Sequence, residues 1–374
     1  MIFKRAVSSV ARAVTAPKAF VSHSVCPYFN LALEDWIFRN TPPEIPLLLI
    51  YRNRPSVIIG RNQNPWKEIN LEALHRLGIP FVRRRSGGGT VYHDLGNTNY
   101  SVLVPRATFA RRPNAELVAR AVQSLGPPAL VNDRNDIVVE GFKICHLPQH
   151  APEPLSKTDT GLFSGLYVSG SAYKIVNKRA YHHGTMLIDA QLGQLGDVLH
   201  NTKVTMVTKG VASVRSSVRN LRNWAPEMTH ESFTKAVVQE FQKTYGGEEE
   251  PTAVDDALLD EEPAIKANYE DLQTWNWTYG QTPEFEHHLS KSFEWGDVSA
   301  NIQSKHGRII SASLQYAPPL TANEIHEDAE DVCLALAGKM IGDKYGSLEG
   351  LQQPDGVQLQ SMERDIIRWL QQEM

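Results

Sequence analysis

The pattern of apolar and polar positions predicts that helices and strands alternate through the first part of the chain. Apolar runs at 46–53 (PLLLIYRN) and 56–64 (SVIIGRNQN) favour buried strands. Helical spacing in 30–38 (NLALEDWIF) and 70–79 (NLEALHRLGI) favours two helices, each beginning at an asparagine cap, with a glycine ending the second. Residues 80–105 follow as two strand-like runs joined by a glycine loop. This alternation indicates an α/β layer.

The pattern changes in the last third of the chain. Residues 248–265 are acidic and weakly hydrophobic, which favours a solvated linker or a surface helix. Beyond them, 292–316 alternates like a hairpin and 321–374 contains two helical patterns. The pattern therefore predicts a large α/β domain at 21–247, an acidic linker at 248–265 and a small α+β domain at 266–374, with a separate segment at 1–20 before them.

Composition narrows the class of protein. The chain has 374 residues and a formal net charge of −4, which disfavours a generally basic surface for nucleic acid. Its three cysteines lack the spacing of a disulfide framework or a zinc site. No apolar run approaches the length of about 20 residues that a membrane-spanning helix needs. We expect small molecules and proteins as partners, with no nucleic acid and no membrane insertion.

The first twenty residues carry four basic side chains and several hydroxyl groups, and the first acid is Glu34. Basic, hydroxylated and acid-free leaders are typical of mitochondrial transit peptides. A disordered basic tail is the alternative. The leader predicts location in the mitochondrial matrix.

The string RRRSGGGTVYHDLGN at 83–97 is the most informative segment. Three glycines, Gly87, Gly88 and Gly89, let backbone N–H groups approach an anion and permit the positive φ of an anion-binding nest. The preceding arginines add positive charge that suits phosphate or carboxylate oxygens. The segment thus predicts a phosphate cradle, although a bare GGG is more often a flexible hairpin.

Two further segments contain candidate ligands. Asn135 and Asp136 precede the strand-like IVV, where an amide and a carboxylate can hold an adenine edge or Mg²⁺, although Asn-Asp is also an ordinary turn. His182 and His183 are expected just before a strand, and VSGSAYK at 168–174 is expected to be a small-residue loop.

Together these strings resemble the lipoate–protein ligase A family. The resemblance runs from about Leu31 to the C terminus and includes LIYRNRPSVIIGRNQNPW, RRRSGGGTVYHDLGN, RNDIVV, VSGSAYK, HHGTMLI, KGVASVRSSVRNL and WNWTYGQTPEF. It implies an α/β, biotin/lipoate ligase-like catalytic domain with a small accessory domain. It also implies that ATP, with Mg²⁺, activates lipoate as lipoyl-AMP. The acyl group then passes to a lysine of an acceptor, namely the lipoyl domains of 2-oxoacid dehydrogenase E2 subunits and the glycine cleavage H protein.

The resemblance also assigns residues. Arg84 is expected to contact the nucleotide, and Asp136 is a candidate Mg²⁺ ligand. The other residues expected to bind ATP or lipoyl-AMP are Gly89, Thr90, Val91, Tyr92, Asn135 and Lys143. Supporting positions are Ser86, Gly87, Gly88, His93, Asn97, Ser169, Gly170, Ser171 and His183.

Lys143 in EGFK is the expected catalytic cation, because the lipoate carboxylate and the α-phosphate need positive charge between them. In the family this lysine stands close to SGSAY, whereas here residues 144–167 intervene. The insert is rich in proline and polar residues, and it is either a tolerated surface loop or a translated intron. Lys174 and Lys157 are weaker alternatives to Lys143.

The motifs leave other activities open. A lipoyltransferase that uses preformed lipoyl-nucleotide needs the same pocket, and a non-catalytic protein that binds lipoyl domains is a further alternative. An octanoyltransferase with a cysteine nucleophile is disfavoured, because Cys26, Cys145 and Cys333 lie outside the family-like loops.

Overall fold

The structure is a computed structural model that describes residues 14–139, 166–194, 198–199, 203, 205–213, 218–319, 328–351 and 361–374. Lys143, Lys157, most of the insert at 144–167 and most of the leader at 1–20 lie outside these residues. Within the described part of the chain, no helix is long and apolar enough to cross a membrane.

A six-stranded mixed sheet forms the centre of the catalytic part. Its spatial order is β10 (Ser171–Val176), β11 (Arg179–Leu187), β6 (Asn97–Pro105), β2 (Leu47–Arg52), β1 (Lys18–Ser22) and β13 (Thr252–Val254). The β1 strand pairs in parallel with β2 and β13, and the remaining pairs are antiparallel. The apolar run at 46–53 thus forms a buried strand, as predicted.

Helices cover both faces of this sheet, so β2 is apolar on both sides. Leu48 and Ile50 pack with α4 (Arg111–Ser124) and α5 (His230–Tyr245), whereas Leu47 and Leu49 pack with α1 (Pro27–Asn40). The helix predicted at 30–38 is therefore present but begins earlier, because Pro27 suits the first helical position. The predicted asparagine cap is wrong for α1, since Asn30 is fully buried within the helix.

A small three-stranded sheet carries the glycine loop. It contains β4 (Phe81–Arg83), β3 (Ser56–Ile59) and β5 (Val91–His93), with β3 parallel to β4 and antiparallel to β5. Beside it lie α2 (Pro65–Glu68) and α3 (Leu71–Leu77). The α3 prediction is confirmed: Asn70 caps it by accepting from Ala73 N–H, and Gly78 ends it at φ 64°.

The accessory part is an antiparallel sheet packed against α9 (Ala329–Met340) and α10 (Ser361–Glu373). The predicted hairpin is part of a meander of β14 (Phe285–Phe293), β15 (Gly296–Lys305) and β16 (Arg308–Ala317). Its fourth strand, β12 (Met206–Thr208), pairs with β14 although it precedes the expected boundary. Between the two parts run α6 (Leu258–Glu261), α7 (Pro263–Asp271) and α8 (Trp275–Thr278).

The acidic segment 248–265 contributes to the folded core as well as to the surface. It contains β13, which extends the central sheet, and α6, whose Leu258 and Leu259 pack beside Ile265 of α7. A fourth sheet joins β7 (Ala129–Val131), β8 (Ile137–Val139) and β9 (Leu166–Tyr167) in antiparallel order. It places Asp136 immediately before β8.

Candidate active site

A cavity of about 950 Å³ opens where the glycine loop meets β10 and β11. Its wall is formed by backbone-rich segments, because the loop and the start of β10 contain mostly small residues. Most of the positions expected from sequence line it: Arg84, Gly88, Gly89, Thr90, Val91, Tyr92, His93, Asp136, Ser169, Gly170, Ser171 and His183.

Four expected positions do not line the cavity. Ser86 and Gly87 support the glycine loop from behind, since Ser86 Oγ accepts from Arg84 and Gly87 O accepts from the same guanidinium. Asn97 is fully buried and donates to Asn99. Asn135 sits at φ 63° in the turn before β8. These residues shape the cavity wall rather than face a ligand.

The glycine loop folds tightly because two glycines accept close contacts. A Cβ on Gly60 would lie 2.0 Å from Gly88 O, so the loop can pack on β3 only when residue 60 lacks a side chain. Gly88 has φ +85°. Among Gly87, Gly88 and Gly89, only Gly88 has a positive φ. The expected anion-binding nest therefore contains a single glycine of positive φ.

We expect Gly60→Ala to displace the loop and to lower the affinity of the cavity for its ligand about 5- to 150-fold, because an overpacked contact costs about 1–3 kcal/mol and about 1.4 kcal/mol corresponds to tenfold. Gly87→Ala is the matched control, since its Cβ would meet nothing within 4 Å. Calorimetric titration with ATP and with lipoate measures both variants. Equal affinities for the two variants would show that the contact at Gly60 does not hold the loop.

The three consecutive arginines do not act together as a phosphate cradle. Because successive residues point in opposite directions along an extended chain, Arg84 faces the cavity, while Arg83 and Arg85 face residues 271–282 at the end of α7 and around α8. Arg85 stacks 3.6 Å from the centroid of the Trp277 ring and pairs with Asp271 at 2.6 Å. The prediction that all three arginines contribute positive charge to a ligand site is therefore wrong, because only Arg84 of the three lines the cavity.

Arg84 holds the glycine loop in place. Four of its five N–H donors go to the chain: to Ile58 O, Gly87 O, Gly89 O and Ser86 Oγ. Burial lowers the pKa of Arg84 to about 10, so it stays positively charged at neutral pH. The guanidinium thus fixes the loop and also supplies positive charge to the cavity.

A buried hydrogen-bond chain supports Arg84. Glu34 Oε1 lies 2.9 Å from His183 Nδ1, and His183 Nε2 lies 2.8 Å from Ser86 Oγ, which accepts from Arg84 Nε at 3.0 Å. An ionised carboxylate only accepts, so Nδ1–H donates to Glu34 and the Ser86 hydroxyl donates to Nε2. His183 therefore connects α1 to the glycine loop.

His182 and Lys174 have other roles. Both histidines lie within β11, so the expectation that they precede a strand is wrong, and His182 faces the opposite side of the sheet, beside Tyr100. Lys174 donates to Asp35 at 2.7 Å in a buried ion pair with α1. Lys174 is thus a structural cation and a poor substitute for Lys143.

Sequence reasoning missed a polar cluster on the far wall. Ser213 donates to Glu68 Oε2 at 2.5 Å, and its Oγ accepts from Thr90 N–H at 3.0 Å. Gln63 accepts from Thr90 Oγ1 and donates to Ser213 Oγ, both at 3.0 Å. Gln63, Thr90 and Ser213 lie in quoted motifs, whereas Glu68 lies two residues beyond the end of one, and the meeting of these residues depends on tertiary packing. The polar lining residues that the sequence did not single out are Lys67, Glu68, Asn99, Arg134, Thr185 and Ser213.

Asp136, the predicted Mg²⁺ ligand, lines the cavity. Its Oδ1 lies 3.2 Å from Ser171 Oγ, and burial raises the pKa of this carboxyl. Within the described ranges, no three His, Cys, Asp or Glu side chains are grouped to hold a metal ion. One carboxylate fits Mg²⁺ only where substrate phosphates complete the coordination.

Apolar groups form one side of the cavity. Trp36 and Leu48 are buried in the core, whereas the buried Ile58 also lines the cavity. Together with Leu31, Tyr51 and Leu187 it offers a surface for an aliphatic ligand next to the charged Arg84. The arrangement suits a molecule with an apolar chain and an anionic end.

Comparison with known proteins agrees with this arrangement. The family model of the lipoyl protein ligase A/B catalytic domain matches residues 26–242. A lipoate-protein ligase A of Psychrobacter cryohalolentis is 35% identical over 288 residues, which are 76% of this chain and 78% of that protein. The family expected from sequence is therefore confirmed.

Solved structures share the fold. The P. falciparum protein LipL1, in complex with lipoate, gives a TM-score of 0.58 at 24% identity and covers 95% of this chain and 99% of its own. A lipoate-protein ligase A bound with ATP gives 0.54 at 23%, covering 70% and 98%. An archaeal bipartite lipoate protein ligase from Thermoplasma acidophilum, studied with its E2 lipoyl domain, gives 0.54 at 22%, covering 70% and 96%. The chain belongs to the lipoyl protein ligase A/B family.

Proposed function

We infer that the protein is a lipoate–protein ligase, which activates lipoate with ATP as lipoyl-AMP and transfers the lipoyl group to a lysine of an acceptor protein. The observation that carries this inference is the cavity, where an apolar wall meets the loop clamped by Arg84. Curated and solved relatives named as lipoate protein ligases support it.

The described residues place positive charge where the lipoate carboxylate and the α-phosphate of ATP would bind. Arg84 holds the glycine loop against the cavity and places a fixed positive charge beside it. Because the lipoate carboxylate and the α-phosphate repel each other, a further cation is needed where charge develops. Lys143 supplies that cation in our proposal. The acceptor lysine then attacks the mixed anhydride as a neutral amine, and AMP leaves.

We propose that Mg²⁺ accompanies ATP. Asp136 and the Ser171 hydroxyl are the described oxygen ligands that would hold it together with phosphate oxygens. The ion would neutralise charge on the phosphates when bound.

Complete activation distinguishes a ligase from a transferase. With ATP, Mg²⁺ and free lipoate, a ligase releases pyrophosphate and forms lipoyl-AMP, whereas a transferase acts only on added lipoyl-AMP. We expect pyrophosphate release and lipoylation of an acceptor domain by the purified protein. Transfer from lipoyl-AMP without pyrophosphate release from ATP and lipoate would favour the transferase, and neither activity would favour a binding protein.

A cysteine-based acyl transfer receives no support from the described residues. Cys26 precedes α1 and Cys333 is buried in α9, and neither lines the cavity. Cys145 lies outside the described residues.

We further propose a mitochondrial location, with lipoyl domains of 2-oxoacid dehydrogenase E2 subunits and the glycine cleavage H protein as acceptors. The basic, acid-free leader supports import. Incubation with isolated mitochondria tests it: we expect a protease-protected product shortened at its N terminus. A full-length product that stays outside would contradict the proposal.

Lys143→Ala is expected to lower the rate of lipoyl-AMP formation by about 100- to 1,000-fold, the usual effect of removing one group that stabilises developing charge. Lys157→Ala, within the insert that follows Lys143, is the control and should keep the parent rate. Single-turnover formation of lipoyl-AMP measures both. If the loss follows Lys157 instead, the cation is supplied by the insert and Lys143 has no role in activation.

A further inference from the structure

His93 lies at the end of β5, and one of its two ring nitrogens is hydrogen-bonded to another residue of the protein. The residue is 3% exposed and lines the cavity. Its Nδ1 lies 2.9 Å from Asn53 Nδ2, and within the described residues this is the one hydrogen bond that the His93 ring makes. A buried imidazole on a cavity wall with one unused nitrogen is suited to contact a ligand.

The orientation of Asn30 can be assigned from its neighbours. Its amide nitrogen lies 2.9 Å from Ser24 O and 3.0 Å from Arg52 O. Backbone carbonyl oxygens only accept, so the group facing them must be NH₂ rather than the amide oxygen. The amide oxygen then faces Ser22 Oγ at 2.6 Å, which donates to it.

The orientation of Asn30 also fixes the amide orientation of Asn53 and, through it, the tautomer of His93. Asn30 Nδ2 lies 2.9 Å from Asn53 Oδ1 as well as near the two carbonyl oxygens, so its two hydrogens are shared among three acceptors. An Asn53 NH₂ group at this contact would place one donor against another, so the Asn53 atom here is the accepting oxygen. The Asn53 NH₂ group therefore points at His93 Nδ1, which must accept and carries no proton. In the neutral ring the proton is then on Nε2.

We propose that His93 is a ligand-binding residue whose Nε2–H donates to an anionic oxygen in the cavity, and that Asn30 and Asn53 are positioning residues that fix this tautomer. The oxygen belongs to the carboxyl end of the acyl substrate or to a phosphate of the nucleotide. The proposal rests on the proposed ligase function and deepens it by naming a donor on the wall next to Arg84.

The surroundings of His93 favour a neutral donor over a second cation. Burial, helped by the nearby Arg84 and His183, lowers the pKa of His93 to about 3. The ring is thus neutral at physiological pH, and the empty cavity does not have to hold an additional buried positive charge. Donors aligned from Ser22 through Asn30 and Asn53 polarise one another and strengthen the last bond.

The tautomer is measured directly on the unaltered protein. In ¹⁵N NMR spectra of the full chain, we expect the two His93 nitrogens to show an unprotonated Nδ1 and a protonated Nε2 at pH 7. Asn53→Asp replaces the donor by an acceptor of nearly the same shape and should move a proton onto Nδ1. A wild-type Nδ1–H tautomer overturns the proposal, whether or not the protein proves to be a ligase.

Substitutions at His93 test the contact with the ligand. Gln places an amide N–H near the position of Nε2, whereas Leu has no donor. We expect His93→Leu to weaken binding about 10- to 100-fold and His93→Gln to recover most of it. Titrations with lipoate alone and with ATP alone show which ligand supplies the oxygen.

The outcomes separate binding from folding. A weaker affinity for one ligand in His93→Leu, with recovery in His93→Gln and parent-like melting temperatures for both, supports the donor. Equal losses in both variants, or unchanged affinity for both ligands, overturn it. If the wild-type protein binds lipoate but releases no pyrophosphate, the ligase proposal fails while the contact of His93 is still decided by these titrations.

Discussion

Arg84→Lys is expected to lower kcat/KM for lipoyl-AMP formation by about 100- to 10,000-fold although the positive charge is retained. Arg84 places planar donors on the carbonyls of Gly87 and Gly89 at 2.6 and 2.7 Å. A lysine is a shorter point charge that cannot serve both together with Ser86. Losing two hydrogen bonds from a charged donor costs about 3–6 kcal/mol, and about 1.4 kcal/mol corresponds to tenfold.

Single-turnover kinetics with lipoate and ATP measure this effect. Arg112→Lys is the control, because Arg112 is 54% exposed and pairs with Glu116 on the surface. The control should keep the parent rate. Full activity of Arg84→Lys would mean that charge alone is needed at this position and that the clamp on the loop has no functional weight.

The arginine string illustrates what the sequence could predict. The run RRRSGGG indicates a tight, positively charged loop, and the loop does line a cavity through Arg84. Alternation along an extended chain divides the three side chains between two sides. Which side faces the ligand depends on α7 and α8, where Asp271 and Trp277 contact Arg85. That contact spans more than 180 positions and has no local signal.

The asparagines Asn30 and Asn70 show the same limit in a single residue type. Both stand before apolar, helix-forming residues, and only Asn70 is a cap. Proline at the first helical position moves the start of α1 to Pro27 and leaves Asn30 free to connect Arg52 and Asn53. The signal that distinguishes the two cases was the proline.

Strand partners were also beyond sequence reasoning. The β12 and β13 strands contain three residues each, and so short a segment carries no pattern that identifies the sheet it joins. Long-range pairing with β14 and β1 sets their place. In contrast, the long apolar β2 was predictable because burial on both faces leaves a continuous hydrophobic run.

Arg83→Met is expected to lower the free energy of unfolding by about 3–5 kcal/mol, because each buried acceptor left without a donor costs about 1–3 kcal/mol. The guanidinium is fully buried and donates to Arg61 O and Gln63 O at 2.8 and 2.7 Å. It also donates to Thr278 O at 2.8 Å and to Thr282 Oγ1 at 3.0 Å. Methionine fills a similar volume but leaves these acceptors without a donor.

Urea unfolding at pH 7 measures the change, with Arg112→Met as the exposed control, whose stability should stay within about 0.5 kcal/mol of the parent. Burial lowers the pKa of Arg83 to about 9, so the group is charged at this pH. Arg83 joins the loop at 60–63 to residues 278–282. Its loss should therefore also let these two regions unfold in separate transitions. A single transition with parent stability would show that the Trp277 indole, which donates to Arg83 O at 2.7 Å, is sufficient to hold the two segments together.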